Sequence, residues 1–275
     1  MTIRGVLTLL LTSTMTLATN AQNEVMTPEK LWELQRVSLA GVSPDGSTVL
    51  YNITQYDVAA NQGTTRIAAC NLSGEQRQLT DGTQSAQAIG FTPSGRIAYL
   101  QQGQLWTMTP TGQDARQATH IEGGIENVLF SPKGDAVLFT RQVKYRPTTA
   151  ELYPELPKAN ARIIDDLMYR HWNTWEDDKV SHVFYAPFNG TEVSGEGTDI
   201  MAGQPYDSPL TPFGGAEQLA WSPDGLKIAY TCKKKQGTAA AISTDADIYL
   251  YDIVSGKTEN LTQGNGGYDT HPAWS

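Results

Sequence analysis

Apolar positions along this chain come in paired short runs on either side of a tight turn, and the arrangement recurs. A Ser-Pro-Asp-Gly turn lies between apolar runs in residues 39–51, and related phrases occupy residues 88–99, 128–139 and 219–230. Proline presets φ at the first central turn position, Asp or Ser can bond its own backbone, and glycine accepts a positive φ. Each phrase therefore predicts a β-hairpin with half-buried or buried strands.

A second phrase of two apolar runs follows three of these hairpins, at residues 66–80, 104–119 and 247–262. The repeating unit thus has four strands. Two intervals between turn prolines are close to the repeat of about 40 to 50 residues that is typical of a propeller blade, and a third is about twice as long. A fifth phrase begins at Pro272, and the sequence stops at Ser275. The prediction is an all-β fold, an incomplete β-propeller over residues 39–275 with about four blades plus the start of a fifth.

Two segments depart from the repeat. Residues 22–38 contain a predicted helix, with Thr27 as its cap and Pro28 at its first position. Residues 143–182 separate the two halves of the third blade and are dense in aromatic, charged and helix-forming residues. We expect a helical insertion in the third blade there, and insertions on a rigid repeat scaffold commonly carry binding groups.

The first 21 residues have the layout of a secretory signal peptide, with one basic residue, an apolar run and small residues at Thr19 and Ala21. We therefore expect an exported protein, periplasmic or secreted, with no membrane contact after signal removal. The formal net charge of −9 argues against nucleic acid, which proteins bind chiefly through Lys and Arg. Cys70 and Cys232 lie in different predicted blades, which favours two free thiols over a disulfide.

Four features of the chain carry a resemblance to a known family: the signal peptide, the Thr-Pro-Glu-Lys-Leu-Trp helix at residues 27–32, the Ser-Pro-Asp-Gly blades, and the Tyr-Arg-His-Trp-Asn-Thr-Trp run at residues 169–175. With these features the chain resembles the amino-terminal part of the prolyl oligopeptidase family of serine peptidases. The resemblance covers essentially the whole chain and favours the dipeptidyl-peptidase and acylaminoacyl-peptidase branches. It implies a propeller of seven or eight blades, followed by an α/β-hydrolase domain with a Ser, Asp and His triad. It also implies that the propeller filters substrates and helps to hold the amino end of a peptide.

The chemistry of catalysis is expected outside these residues, because no serine has the Gly-x-Ser-x-Gly setting of a nucleophile elbow. The segment at Gly41 to Asp45 has the first glycine but not the second. No pair of the four histidines has the spacing of a metal site, so neither a metal nor another cofactor is predicted. The C-terminal hydrolase domain is accordingly expected to be absent from this chain.

Candidate substrate-binding residues cluster in the insertion. A peptide amino terminus is a cation, and a partly desolvated carboxylate can bind it through a charge-assisted hydrogen bond. Two acidic runs lie near tryptophans whose rings could pack on a side chain or an ammonium group. The candidates are Asp165, Asp166, Arg170, Trp172, Trp175 and Glu176. The alternatives are a solvated acidic turn and an Asp166–Arg170 pair on one helix face.

Two functions remain open at this point. The chain is either the non-catalytic propeller portion of an exported serine exopeptidase that gates and binds short peptides, or a periplasmic TolB-like propeller that binds a protein or peptide. The insertion favours the first function, and the sequence that follows residue 275 in the gene would discriminate between them.

Overall fold

Four four-stranded antiparallel sheets make up most of the molecule. The computed structural model describes residues 25–176 and 178–275, so the predicted signal peptide lies outside the described residues. The first sheet contains β1 (Arg36–Val42), β2 (Thr48–Asp57), β3 (Gln62–Asn71) and β4 (Gln76–Gln78), and the second contains β5 (Ala86–Phe91), β6 (Ile97–Gln101), β7 (Gln104–Met108) and β8 (Arg116–Gln117). The prediction of an all-β chain with four strands per unit is confirmed.

The third sheet carries the long insertion between its second and third strands. It contains β9 (Glu126–Phe130), β10 (Ala136–Lys144), β13 (Lys179–Pro187) and β14 (Thr198–Asp199), and the inserted residues form α2 (Thr149–Leu152) and a hairpin of β11 (Arg170–His171) and β12 (Thr174–Trp175). The fourth sheet contains β15 (Leu219–Trp221), β16 (Lys227–Cys232), β17 (Asp247–Asp252) and β18 (Lys257–Asn260), with α3 (Gly237–Ile242) between β16 and β17.

The repeated turns close each inner hairpin by the same hydrogen bond. The Gly46 amide donates to the Ser43 carbonyl at 2.8 Å, and the Gly225 amide donates to the Ser222 carbonyl at 2.8 Å. Gly46 has a φ of +73°, which is the conformation that requires glycine here. The Asp45 carboxylate accepts from the Ser43 and Ser47 hydroxyls, and these bonds lower its pKa to about 2. The turn chemistry read from the sequence therefore holds in the structure.

Apolar layers between neighbouring sheets form the core. Leu50, Ile67 and Ile97 pack between the first and second sheets, and Leu138, Val183 and Tyr230 pack between the third and fourth. A further layer between the second and third sheets includes the fully buried Leu105, Val137 and Phe139. Each sheet thus packs against the next one in the sequence, as blades of a propeller do.

The first sheet has an edge strand whose apolar side chains face solvent. Val37 is 66% exposed, Leu39 is 70% exposed and Val42 is 51% exposed, all on β1. Helix α1 (Pro28–Glu33) precedes this strand, and its Thr27 hydroxyl accepts from the Lys30 amide at 3.2 Å, as the cap prediction requires. The helix ends at Glu33 and β1 begins at Arg36. The first strand therefore begins three residues before residue 39, where the sequence predicts the start of the propeller.

The insertion contains little helix. Residues 143–144 extend β10 and residues 179–182 begin β13, so the described residues outside the sheet are 145–176 and 178. Its α-helix is the four-residue α2, with a capping box between Thr148 and Glu151. Pro147 precedes the N-cap Thr148 and Pro154 follows the C-cap Tyr153, and these prolines bound the helix because proline and the residue before it disfavour continued helix. Among the described residues, no helix is long and apolar enough to cross a membrane.

Candidate functional site

A cavity of about 650 Å³ opens between the insertion and the fourth sheet. Its walls come from residues 145–178, from the connection at residues 205–212 and from the loop at residues 233–246 that holds α3. The three segments are far apart in the sequence and meet because the third and fourth sheets pack side by side. The predicted residues Asp165, Asp166 and Glu176 all line this cavity.

Asp207 supplies a further carboxylate to the cavity from the connection between the third and fourth sheets. It accepts a hydrogen bond from the Ser181 amide at 2.8 Å. Burial raises the pKa of Asp207, while the Ser181 amide and the neighbouring His182 oppose that shift. A buried carboxylate of this kind gains most from a cationic ligand, because such a ligand favours the ionised form.

His182 lies behind this wall and has a structural environment. The ring is 1% exposed, its Nδ1 is 2.8 Å from an Asp199 carboxylate oxygen, and its Nε2 is 2.8 Å from the Gln204 carbonyl oxygen. Both ring nitrogens are thus occupied by groups of the protein. This geometry gives His182 a structural role.

Asp166 binds across the cavity mouth to the loop of the fourth sheet. One carboxylate oxygen accepts from the Thr238 amide at 3.0 Å, from the Thr238 hydroxyl at 2.9 Å and from the Leu167 amide at 2.8 Å. The Leu167 amide and the Thr238 hydroxyl are the main reasons why the pKa of Asp166 is lowered. The predicted alternative of a helical Asp166–Arg170 pair is wrong, because Arg170 lies in β11 and four-residue helical spacing does not apply there.

Glu176 and Asp165 complete the acidic lining. Glu176 is half-buried, its amide donates to the Tyr169 carbonyl at 3.0 Å, and its carbonyl accepts from Arg146 at 2.9 Å. These backbone bonds fix the strand end that carries the Glu176 side chain. Asp165 is exposed and lies beside Asp166 in the inserted segment.

The remaining predicted residues lie on the hairpin beside the cavity and do not line it. The Arg170 Nε donates to the Trp172 carbonyl at 2.6 Å, and its guanidinium lies 5.1 Å from the centre of the Trp175 ring. Trp172 is 71% exposed, and its ring centre is 5.3 Å from that of Phe213. Arg170, Trp172 and Trp175 therefore shape the β11–β12 hairpin.

Sequence reasoning did not find Asp207 or the loop at residues 233–246. Asp207 lies in a Pro-Tyr-Asp-Ser-Pro run at residues 205–209 and outside any acidic run, so no local pattern distinguishes it. The loop has a sequence signal, because about fourteen residues separate two strands whose counterparts in the first and second sheets join by a short turn. Among the described residues, no group of three or more His, Cys, Asp or Glu side chains is placed to hold a metal ion.

Comparison with known proteins relates the chain to peptidases. No family model matches it. It is 43% identical over 259 residues to dipeptidyl-peptidase 5 of Porphyromonas gingivalis, and 37% identical over 261 residues to dipeptidyl-peptidase 5 of Porphyromonas endodontalis. By sequence, this chain is a relative of dipeptidyl-peptidase 5. The match covers 92% and 93% of the chain and confirms the resemblance to the prolyl oligopeptidase family.

The chain spans 37% and 38% of the length of these two dipeptidyl-peptidase 5 relatives. Among solved structures, it is similar to an acylaminoacyl peptidase of Pyrococcus horikoshii, with a TM-score of 0.57 at 16% identity. That likeness covers 84% of this chain and 32% of the other. At this level of identity the likeness is one of fold, and it confirms the predicted propeller architecture.

Proposed function

We propose that this chain is the peptide-binding propeller part of an exported serine exopeptidase of the dipeptidyl-peptidase or acylaminoacyl-peptidase type. Its sequence relatives are named dipeptidyl-peptidase 5, which supports a peptide substrate. Catalysis is assigned to sequence outside these 275 residues, since no nucleophile elbow occurs within them.

One observation supports the binding role most strongly: a cavity of about 650 Å³ is lined by carboxylates from two separate parts of the fold. This volume lies within the range of about 300 to 1,000 Å³ that is usual for small-ligand sites. Glu176 and Asp165 come from the insertion, and Asp207 comes from the connection between the third and fourth sheets. A site of this size and charge fits the amino end of a short peptide.

Recognition of the amino end follows from the charge of the groups involved. The ammonium group of a peptide can donate three hydrogen bonds, and a partly buried carboxylate is a strong acceptor for them. Binding of the ammonium also favours ionised Asp207, whose pKa is raised by burial. Apolar side chains of Ile163, Ile164 and Leu210 share the cavity and offer contact to the first side chains of the peptide.

The test uses the protein encoded by the whole reading frame that contains this chain. We expect it to release dipeptides or acylated residues from short peptides, and a serine-directed inhibitor should abolish the release. Residues 22–275 alone should release neither dipeptides nor acylated residues from these peptides. If the whole protein binds peptides but hydrolyses none, the exopeptidase assignment is wrong and the binding propeller is favoured.

A further inference from the structure

The insertion and the fourth sheet meet at a single carboxylate on the cavity rim. Asp166 accepts from both the amide and the hydroxyl of Thr238, which lies 72 residues further along the chain. Helix α3 begins next to this contact, and its own capping residue Gln236 makes no side-chain hydrogen bond there. The Asp166 carboxylate, from the insertion of the third sheet, therefore accepts from a backbone amide at the start of α3 that the Gln236 side chain does not cap.

Gly237 makes the approach of Asp166 possible. A Cβ atom placed on Gly237 would lie 1.7 Å from an Asp166 carboxylate oxygen, and the residue has a φ of +57°. A larger side chain would therefore collide with the carboxylate and strain the backbone. Glycine at this position lets the two segments touch.

The inserted segment next to this contact forms one wall of the cavity. We define residues 153–169 as the strap. Its apolar side chains at Ile163, Ile164, Leu167 and Met168 line the cavity, and each is 45% or 46% exposed. Ala240 and Ala241 face them from the loop that carries Thr238. The Asp166–Thr238 contact thus joins the two segments that line the cavity on either side.

The contact is suited to repeated opening. Asp166 is an exposed residue, and exposed charged contacts contribute little net stability because water competes for both partners. The strap contains Pro154 and Pro157 and, among the described residues, forms no regular helix or strand. We propose that the strap is a lid over the cavity and that Asp166 is the latch that holds it closed on Gly237 and Thr238. The inference rests on the proposed peptide site, since the lid would control entry to it and exit from it.

The first test measures hydrogen exchange in the protein encoded by the whole reading frame. Asp166→Ala should raise amide exchange in residues 153–169 and 236–242 by about two- to fivefold, the range expected for loss of one exposed charged contact. Gly237→Ala should do the same, because the new methyl group displaces the carboxylate. Unchanged exchange in both variants would overturn the latch.

Two matched variants control for general effects. Asp81 also accepts from the amide and the hydroxyl of a threonine, Thr83, but within a local turn. Gly195 also has a positive φ, +68°, with nothing within 4 Å of an added Cβ. Asp81→Ala and Gly195→Ala should leave exchange in the strap at its wild-type rate. A rise in the strap of equal size in the controls would show that the effect is not specific to the latch.

The second test separates a lid from a merely structural contact. In Gly237→Ala, which displaces the Asp166 carboxylate from Thr238 but keeps that charge in the chain, the association and dissociation rates of a short peptide with a free amino end should both rise about two- to fivefold, with little change in Kd. Faster exchange with unchanged peptide rates would overturn the lid. If no peptide binds to the wild-type protein, the proposed function fails, and the exchange experiment alone then decides whether the latch exists.

Discussion

At the scale of single residues, the two cysteines differ in environment. Cys232 is fully buried, and burial raises its pKa to about 12, whereas Cys70 is only partly buried and its thiol donates to the Asn71 carbonyl at 3.4 Å. Thiolates are the reactive form, so burial and a raised pKa both protect Cys232. Under native conditions near pH 8, iodoacetamide should modify Cys70 well before Cys232. Mass spectrometry of digests checks this, and equal labelling of the two native thiols would contradict it.

The Asp207 carboxylate is expected to lower stability at neutral pH. Its pKa is raised in the folded state, so ionisation favours the unfolded chain above the folded-state pKa, and this effect disappears below the unfolded value. Asp207→Asn keeps an oxygen acceptor for the Ser181 amide. The variant should therefore melt at a higher temperature than wild type at pH 7, and the gain should shrink as the pH falls towards 4.

Thermal melts of the whole protein at the two pH values test this prediction. A lower melting temperature for Asp207→Asn at pH 7 would show that the ionised group is a stabilising partner within the fold. A stabilising change that also weakens substrate binding is the pattern expected of a functional site.

At the scale of elements, Asn52 ties the first blade to the second. Its side-chain amide donates to the Ala88 carbonyl at 3.1 Å, its oxygen accepts from the Ala88 amide at 2.8 Å, and the residue is 4% exposed. Ala88 lies at an irregularity in the β5–β6 register, where the sheet itself leaves these groups available. Asn52→Ala leaves two buried backbone groups unpaired, at a cost of about 1 to 3 kcal/mol for each.

Chemical denaturation of the whole protein should show this loss for Asn52→Ala. The exposed amide of Gln76 on the edge strand β4 provides the control, and Gln76→Ala should change stability by less than about 0.5 kcal/mol. Equal stability of the two variants would contradict the proposed role of Asn52 between the blades.

The sequence predicts the elements that depend on local chemistry and misses those that depend on contacts between blades. The hydrogen bond that closes the turn at Ser43 to Gly46 joins residues three positions apart, and so does the bond between the Thr27 hydroxyl and the Lys30 amide. The Asp166 contact depends on Thr238, and the cavity depends on Asp207, neither of which has a local signal. The helix-forming residues of the insertion predict a helical segment, whereas Pro154 follows the C-cap Tyr153 and limits α2 to four residues.

At the scale of the whole molecule, the open face of the first sheet predicts poor behaviour of the chain by itself. Val37, Leu39 and Val42 expose half or more of their surface on β1. Such a face and edge promote aggregation unless another blade covers them. Residues 22–275 produced alone should aggregate or melt over a broad range. A monodisperse monomer with a sharp two-state melt would contradict this expectation.

The central claim is that the carboxylates of the cavity recognise the free amino end of a peptide. The most direct measurement compares kcat/KM for matched substrates with free and blocked amino ends, in the whole protein and in its Glu176→Gln, Asp165→Asn and Asp207→Asn variants. Asp81→Asn serves as the control, since Asp81 lies in a local turn between the first and second sheets. At least one cavity variant should lose about 10- to 100-fold on the free substrate, the scale of one charged hydrogen bond, and little on the blocked one. Equal effects on both substrates in all three variants would contradict the claim.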